Sequence, residues 1–153
     1  MIYLFAAILA VMLLALAVID IREFRLPNVL TISLIGLGLL YSYLMADFSA
    51  ALIGAVAGYL AFVLVEVSFK RLRGIDGLGR GDAKLLAVGG AWCGWLWLPQ
   101  VVLIASLSAI IIVLLMRWRD KTITSQSAVP FGPFLAMGIV LVWGVQNFHE
   151  RLF

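Results

Sequence analysis

The chain has 153 residues, of which 65% are hydrophobic and only 12% are charged, with a mean hydropathy of +1.15 and a net charge of +3. Soluble domains carry about 45–50% apolar and about 25% charged residues, so a soluble globular domain and a disordered chain are both excluded. What fits is a single membrane-embedded unit over residues 1–153, in which each charge is costly in hydrocarbon and therefore informative.

A helix needs roughly 20 apolar residues to cross the hydrocarbon core. The first such segment is 2–19. It has no Lys or Arg and so lacks the basic start of a secretory signal, which predicts an uncleaved span. A charged loop over 20–28 follows, with Asp20, Arg22 and Arg25, and Pro27 and Asn28 lead into the second segment, 29–46. Proline suits the first turn of a helix, so this pair is expected to shape the entry rather than touch a ligand. After Asp47 comes the third segment, 49–68. It contains Gly54 and Gly58, a spacing that lets helix backbones approach closely, and Glu66, four residues before Lys70 in the order that favours an ion pair.

A basic loop over 69–82 is rich in glycine (Gly74, Gly77, Gly79, Gly81) and could close over a neighbouring site. Asp82 ends it and opens the fourth segment, 83–98, where Gly90 and Gly94 repeat the small-residue spacing. Leu98-Pro99 predicts a tight turn before the fifth segment, 99–116, because proline cannot continue one helix but can start the next. A third charged loop covers 117–129. Pro130, Gly132 and Pro133 then restrict the backbone where the sixth segment, 131–148, begins. The expected fold is an all-α membrane bundle of six transmembrane helices.

Ten of the eleven Lys and Arg residues fall on one side of this six-span arrangement, which the positive-inside rule assigns to the cytoplasm. Both termini then face outward. Trp95 and Trp97 lie at the outer interface and Trp118 at the inner one, as an aromatic belt requires. The net charge of +3 is thereby explained by orientation rather than by nucleic acid, which is not an expected partner. Cys93 is the sole cysteine and sits among apolar residues, so it reads as a packing residue. No Cys/His cluster suggests a metal, and no cofactor is expected. His149 falls on the outer side and has no expected role.

Asp20 and Asp82 are 62 residues apart, yet this topology puts both at the cytoplasmic end of a span. Two carboxylates brought together can share one proton, because like-charge repulsion and a low-dielectric surround drive their pKa values apart. One can then take a proton from water while the other polarises a peptide carbonyl. Gly79 and Gly81 tolerate positive φ and would let backbone or substrate approach the second carboxylate. The plainer alternative is that Asp82 favours a helix N-terminus and Asp20 pairs with Arg22 or Arg25.

The run Asp20-Ile-Arg-Glu-Phe-Arg-Leu-Pro27-Asn28-Val-Leu-Thr31 resembles the first active-site motif of type IV prepilin peptidases. Gly77-Leu-Gly79-Arg-Gly81-Asp82-Ala-Lys84 is similar to their G-x-G-D-x-K motif, and Pro130-Phe131-Gly132-Pro133-Phe-Leu-Ala136 to their closing segment. The three motifs occur in order and span nearly the whole chain. A lone G-x-G-D is also found in presenilin-like proteases, whose partner aspartate lies in a Tyr-Asp pair, unlike Ile19-Asp20. The resemblance implies an aspartic endopeptidase of the bacterial inner membrane, multi-pass, with Asp20 and Asp82 catalytic at the cytoplasmic side. Gly79, Gly81, Lys84, Pro27 and Asn28 would support the motif, and Glu66, Phe131 and Pro133 are candidates for touching substrate.

The substrate so implied is a prepilin or a type II secretion pseudopilin, cut after a glycine to release a short basic leader, with no metal required. Longer members carry an N-terminal Cys-rich zinc domain, and many methylate the new N-terminus. Those Cys residues are not among these 153, so only the peptidase core is expected, without zinc or methyl transfer. Two alternatives are an archaellin or Flp-type precursor peptidase and a catalytically inert membrane subunit or small transporter. The last predicts charges deep in the spans, and apart from Glu66 the spans have none away from an end.

Overall fold

A computed structural model describes residues 1–73, 79–119 and 129–149. The described chain is all-helical: α1 (Ile2–Glu23), α2 (Asn28–Met45), α3 (Phe48–Arg73), α4 (Arg80–Cys93), a short 3-10 turn (Trp95–Trp97), α5 (Leu98–Arg119) and α6 (Gly132–His149). Gly74 and Gly77, invoked for a closing loop, and Lys121 and Arg151, used for orientation, lie outside the described residues.

Four helical stretches are long and apolar enough to cross a membrane: Ile2–Glu23, Asn28–Met45, Phe48–Leu72 and Trp95–Arg119. The sixth segment forms a shorter apolar helix. The fourth forms only the 14-residue α4, about 21 Å at 1.5 Å per residue. Its composition follows from its place in the bundle. Every residue from Leu85 to Cys93 is buried, and α2, α3, α5 and α6 all pack around it. A helix with no face toward lipid needs small residues for close approach more than it needs bulk hydrophobicity.

The closest approach is to α3. A Cβ on Gly54 would come within 2.6 Å of the Gly90 carbonyl oxygen, and one on Gly58 within 2.8 Å of the Leu86 carbonyl oxygen. Both small-residue pairs thus mark true backbone contact, and they set an antiparallel register. Along that register Phe62 comes level with Asp82, and Glu66 lies one turn further. On α2, Gly38 makes room for the Trp92 ring, whose indole N–H donates to the Leu34 carbonyl at 2.9 Å. Phe5, Tyr41, Trp92 and Trp143 form an edge-and-stack aromatic cluster that closes this end of the bundle.

Three boundaries differ from expectation. The break after α4 falls at Gly94, with φ of 78°, and the 3-10 turn carries the chain into α5, so Pro99 sits inside the first turn of α5. Glycine can take that left-handed backbone without strain, whereas Pro99 has no N–H to lose at a helix start. The first and third helices also run beyond their expected ends, to Glu23 and Arg73. Asp20 therefore lies in the last turn of α1, not past it, and Glu66 is well within α3.

Candidate active site

α1 buries one stripe: Phe5, Leu9, Leu13, Leu16 and then Asp20. The spacing of three to four residues continues without interruption into the aspartate, so Asp20 occupies what would otherwise be a core position. Its residue exposure is 6%. A buried carboxylate needs a donor, and Gly132 supplies one: its backbone N–H donates to Asp20 Oδ2 at 3.0 Å. Gly132 opens α6, where the first N–H groups have no partner within the helix. A Cβ there would lie 2.5 Å from Oδ2, so a side chain at this position displaces the carboxylate. Phe24, the C-cap of α1, takes φ of 51°, and its N–H closes on the Asp20 carbonyl at 2.9 Å.

Asp82 lies in the first turn of α4, where its N–H donates to the Gly79 carbonyl at 3.0 Å, and it is half-buried. A carboxylate there is favoured by the helix dipole. The two aspartates are close enough for the charge on Asp20 to act on Asp82. α6 packs against both α1 and α4, so the helix that donates to Asp20 also aligns the helix that carries Asp82.

Two further contacts join the same segments. Leu26 is buried and packs at Gly81, where a Cβ would meet its side chain at 3.1 Å. Lys84 Nζ donates to Asn28 Oδ1 at 2.5 Å, tying the start of α4 to the start of α2. Pro27 is the N-cap of α2, and its carbonyl accepts from both the N–H and the hydroxyl of the buried Thr31. Pro27 therefore shapes the helix entry, as expected.

The glycine expectation is corrected in its reason. Gly79 is extended, with φ of −80°, and Gly81 is within α4, so neither uses positive φ. Gly81 is small because Leu26 is beside it, while an added Cβ at Gly79 meets nothing closer than 3.9 Å.

Phe131 caps α6, with its carbonyl accepting from Phe134 and Leu135, and its ring lies 6.4 Å from that of Phe62. Both rings are half-buried; Phe131 is the chain neighbour of Gly132, and Phe62 is level with Asp82 in the α3–α4 register. Pro133 lies in the first turn of α6 and serves the helix start. Glu66 is paired across the helices, with Oε1 3.6 Å from Arg80 Nε. Its other oxygen, Oε2, is buried and accepts no hydrogen bond. The roles of Gly132 and Leu26 were missed in the sequence. Only the continuation of the α1 stripe into Asp20 hints that a buried carboxylate there needs a donor from elsewhere.

A cavity of about 480 Å³ lies at the opposite end of the bundle, lined by Tyr41, Trp92, Trp97 and Asn147 among others. Its amide and aryl groups are bonded to one another, as in the 2.8 Å Tyr41–Asn147 contact. Its titratable lining groups are Tyr41, Asp47 and Cys93, with a single carboxyl among them, so it lacks the paired carboxyls found at the aspartate end. Cys93 is buried there, consistent with a packing role. No group of three His, Cys, Asp or Glu side chains able to hold a metal occurs among the described residues.

A sequence model described as the type IV leader peptidase family matches residues 7–114. Similar curated proteins carry the name prepilin leader peptidase/N-methyltransferase. One from Burkholderia pseudomallei strain 1026b is 47% identical over 128 residues, covering 82% of this chain and 41% of the relative. One from Pectobacterium carotovorum is 45% identical over 146 residues, covering 94% and 52%. One from Pseudomonas aeruginosa is 45% identical over 139 residues, covering 88% and 47%. The chain spans about half the length of these relatives. No solved structure matches it.

Proposed function

The chain belongs to the type IV leader peptidase family, and from that premise we propose that it is a membrane aspartic endopeptidase with Asp20 and Asp82 as its catalytic pair. The observation that carries this reading is the convergence of three separated motifs on one pair of carboxylates. Asp20 accepts the amide of Gly132, Asp82 is within reach of its charge, and Asn28 is bonded to Lys84.

Two carboxylates brought together at such a site would share one proton. In the proposed reaction the ionised member accepts a proton from water as the water oxygen bonds to the peptide carbonyl carbon. The protonated member gives its proton to the carbonyl oxygen, forming a gem-diol. Collapse of the gem-diol breaks the C–N bond. One hydroxyl proton returns to a carboxylate, and the nitrogen leaves as an amine with the proton first taken from water. The dyad is restored with one proton, and no group other than the two carboxyls and water changes state.

The topology belongs to the same proposal: six spans, both termini outside, and the dyad at the cytoplasmic face. The clustering of Arg22, Arg25, Arg80, Lys84, Arg117 and Arg119 at the helix ends near the dyad supports it. The proposed substrates are prepilins and type II secretion pseudopilins, whose apolar helix would stay in lipid beside the bundle while the polar leader reaches the dyad from the cytoplasm. Reconstitution of the chain in vesicles with a prepilin, and separately with a pseudopilin, tests the reading. Intact-mass analysis should show loss of the N-terminal leader. Absence of any cleaved product from a correctly inserted chain would sink the proposal.

A further inference from the structure

Glu66 is the charged residue that the dyad chemistry leaves unexplained. It is inside a candidate span, where an ionisable side chain is costly and needs a partner. Its side chain is only 15% exposed. Its cross-helix partner among the described residues is loose: Arg80 Nε lies 3.6 Å from Oε1, beyond good hydrogen-bond distance, and the Arg80 side chain is 76% exposed. An ion pair of this kind contributes little to stability. Oε2 is buried and accepts nothing. A buried carboxylate oxygen with no donor is unfavourable by itself, and the balance improves if a donor arrives from outside.

Its location says what that donor belongs to. The Gly54–Gly90 and Gly58–Leu86 contacts set the α3–α4 register, which puts Phe62 level with Asp82 and Glu66 one helical turn beyond, about 5.4 Å toward the loop end. Phe62 in turn packs on Phe131, the neighbour of the Gly132 that holds Asp20. An extended peptide lying across the dyad advances about 3.3–3.6 Å per residue. A Lys or Arg side chain a few residues from the scissile bond can therefore reach Glu66.

Resting on the peptidase reading, we infer that Glu66 is a cation subsite: Oε2 receives a lysine or arginine of the substrate, within about four residues of the scissile bond on its loop-side segment. The subsite makes the enzyme selective for a positive charge near the cut, on a face whose other charges are mostly basic and would otherwise repel it. Glu66 positions substrate and takes no part in proton transfer.

The test uses the full chain in vesicles and a prepilin with its own basic residues, compared with versions in which each Lys or Arg near the cut is changed to Gln in turn. Cleavage by the unaltered chain is the precondition, and failure at that step refutes the peptidase reading rather than the subsite. Given cleavage, Glu66→Gln should raise KM about tenfold for the basic substrate, the effect of losing one charge-assisted hydrogen bond, with kcat nearly unchanged. For one of the Gln-substituted substrates the same variant should have almost no effect. Glu66→Arg should recover cleavage of a substrate with Glu at that position. Equal loss on basic and neutral substrates, a fall in kcat alone, or no change in KM would each overturn the inference. Glu66→Gln is isosteric, so the test does not depend on the Arg variant folding.

Discussion

Gly132→Ala is the sharpest perturbation available, because it adds one methyl group at a defined distance from a carboxylate of the proposed catalytic pair. The new Cβ would sit 2.5 Å from Asp20 Oδ2 and 3.0 Å from Cγ, about 0.9 Å inside the 3.4 Å at which ordinary contact begins. Neither partner can yield without consequence. If Asp20 turns away, it loses the 3.0 Å hydrogen bond from the Gly132 amide, a charge-assisted interaction of about 1.5–3 kcal/mol. If α6 backs off instead, the same bond lengthens, and Phe131 shifts against Phe62. A displacement of about 1 Å at a reacting group lowers rate on the order of 100-fold. The expected result is a kcat for leader cleavage reduced about that much, with KM changed far less, because the displaced group is the proposed reacting carboxylate. Gly144→Ala is the control on the same helix, where an added Cβ meets nothing within 4 Å, and it should cleave as the parent does. Circular dichroism and thermal unfolding of both variants in detergent separate a misplaced carboxylate from a misfolded bundle. A folded Gly132→Ala protein that cleaves at the parent rate would refute the claim that Gly132 sets the position of Asp20.

Other outcomes follow from the same contacts. Lys84→Met removes the donor to Asn28 and should lower kcat/KM about tenfold while leaving helix content intact; a profile identical to the parent's would show that the tie has no part in assembling the site. Gly90→Val drives a side chain into the Gly54 backbone and should destabilise the bundle by about 1–3 kcal/mol or more, read as a lowered denaturation midpoint, whereas Gly36→Ala, in open space, should be neutral. At the far end, the Ser49 hydroxyl and the Ala50 and Ser49 amides hold the Asp47 carboxyl below the usual carboxylate range. A lowered value means the cap stabilises the start of α3 fully above the ordinary carboxylate range, and this is lost as pH falls below that range through the lowered native-state value. Hydrogen exchange at Ser49 and Ala50 should therefore show an acid-side loss of protection beyond the intrinsic pH dependence, absent in Asp47→Asn.

The sequence made the helices legible and left their faces hidden. Six apolar stretches correspond in order to α1–α6, four of the helical stretches being long and apolar enough to cross a membrane, because hydropathy reports where the chain can enter lipid. Which side of α1 packs inward could not be read, since its residues up to Ile19 are apolar on every side and carry no amphipathic stripe. Only the structure shows that Asp20 continues the line of Leu9, Leu13 and Leu16. The small residues of α4 pointed to close packing. That α4 is the central helix could not be derived, because the other helices around it are not encoded in its own spacing. Leu98-Pro99 suggests the turn in sequence, while the chain turns at Gly94, where the backbone takes a positive φ. At the site, the three motifs mark segments that lie together at one end of the bundle, but the Gly132 amide is a backbone group and leaves no chemical trace in a sequence. Glu66 invited pairing with Lys70 one turn away on the same helix, and the structure adds a cross-helix partner in Arg80.

The central claim is that Asp20 and Asp82 together perform the cleavage. Asp20→Asn and Asp82→Asn keep shape and remove only the charge and the exchangeable carboxyl proton. Each should be reconstituted in vesicles at the parent's level, mixed with excess enzyme over prepilin, and followed in a single turnover by intact mass. The account predicts no leader release above the uncatalysed background from either variant, with unfolding temperatures close to the parent's. Cleavage at the parent rate by either folded variant would contradict it.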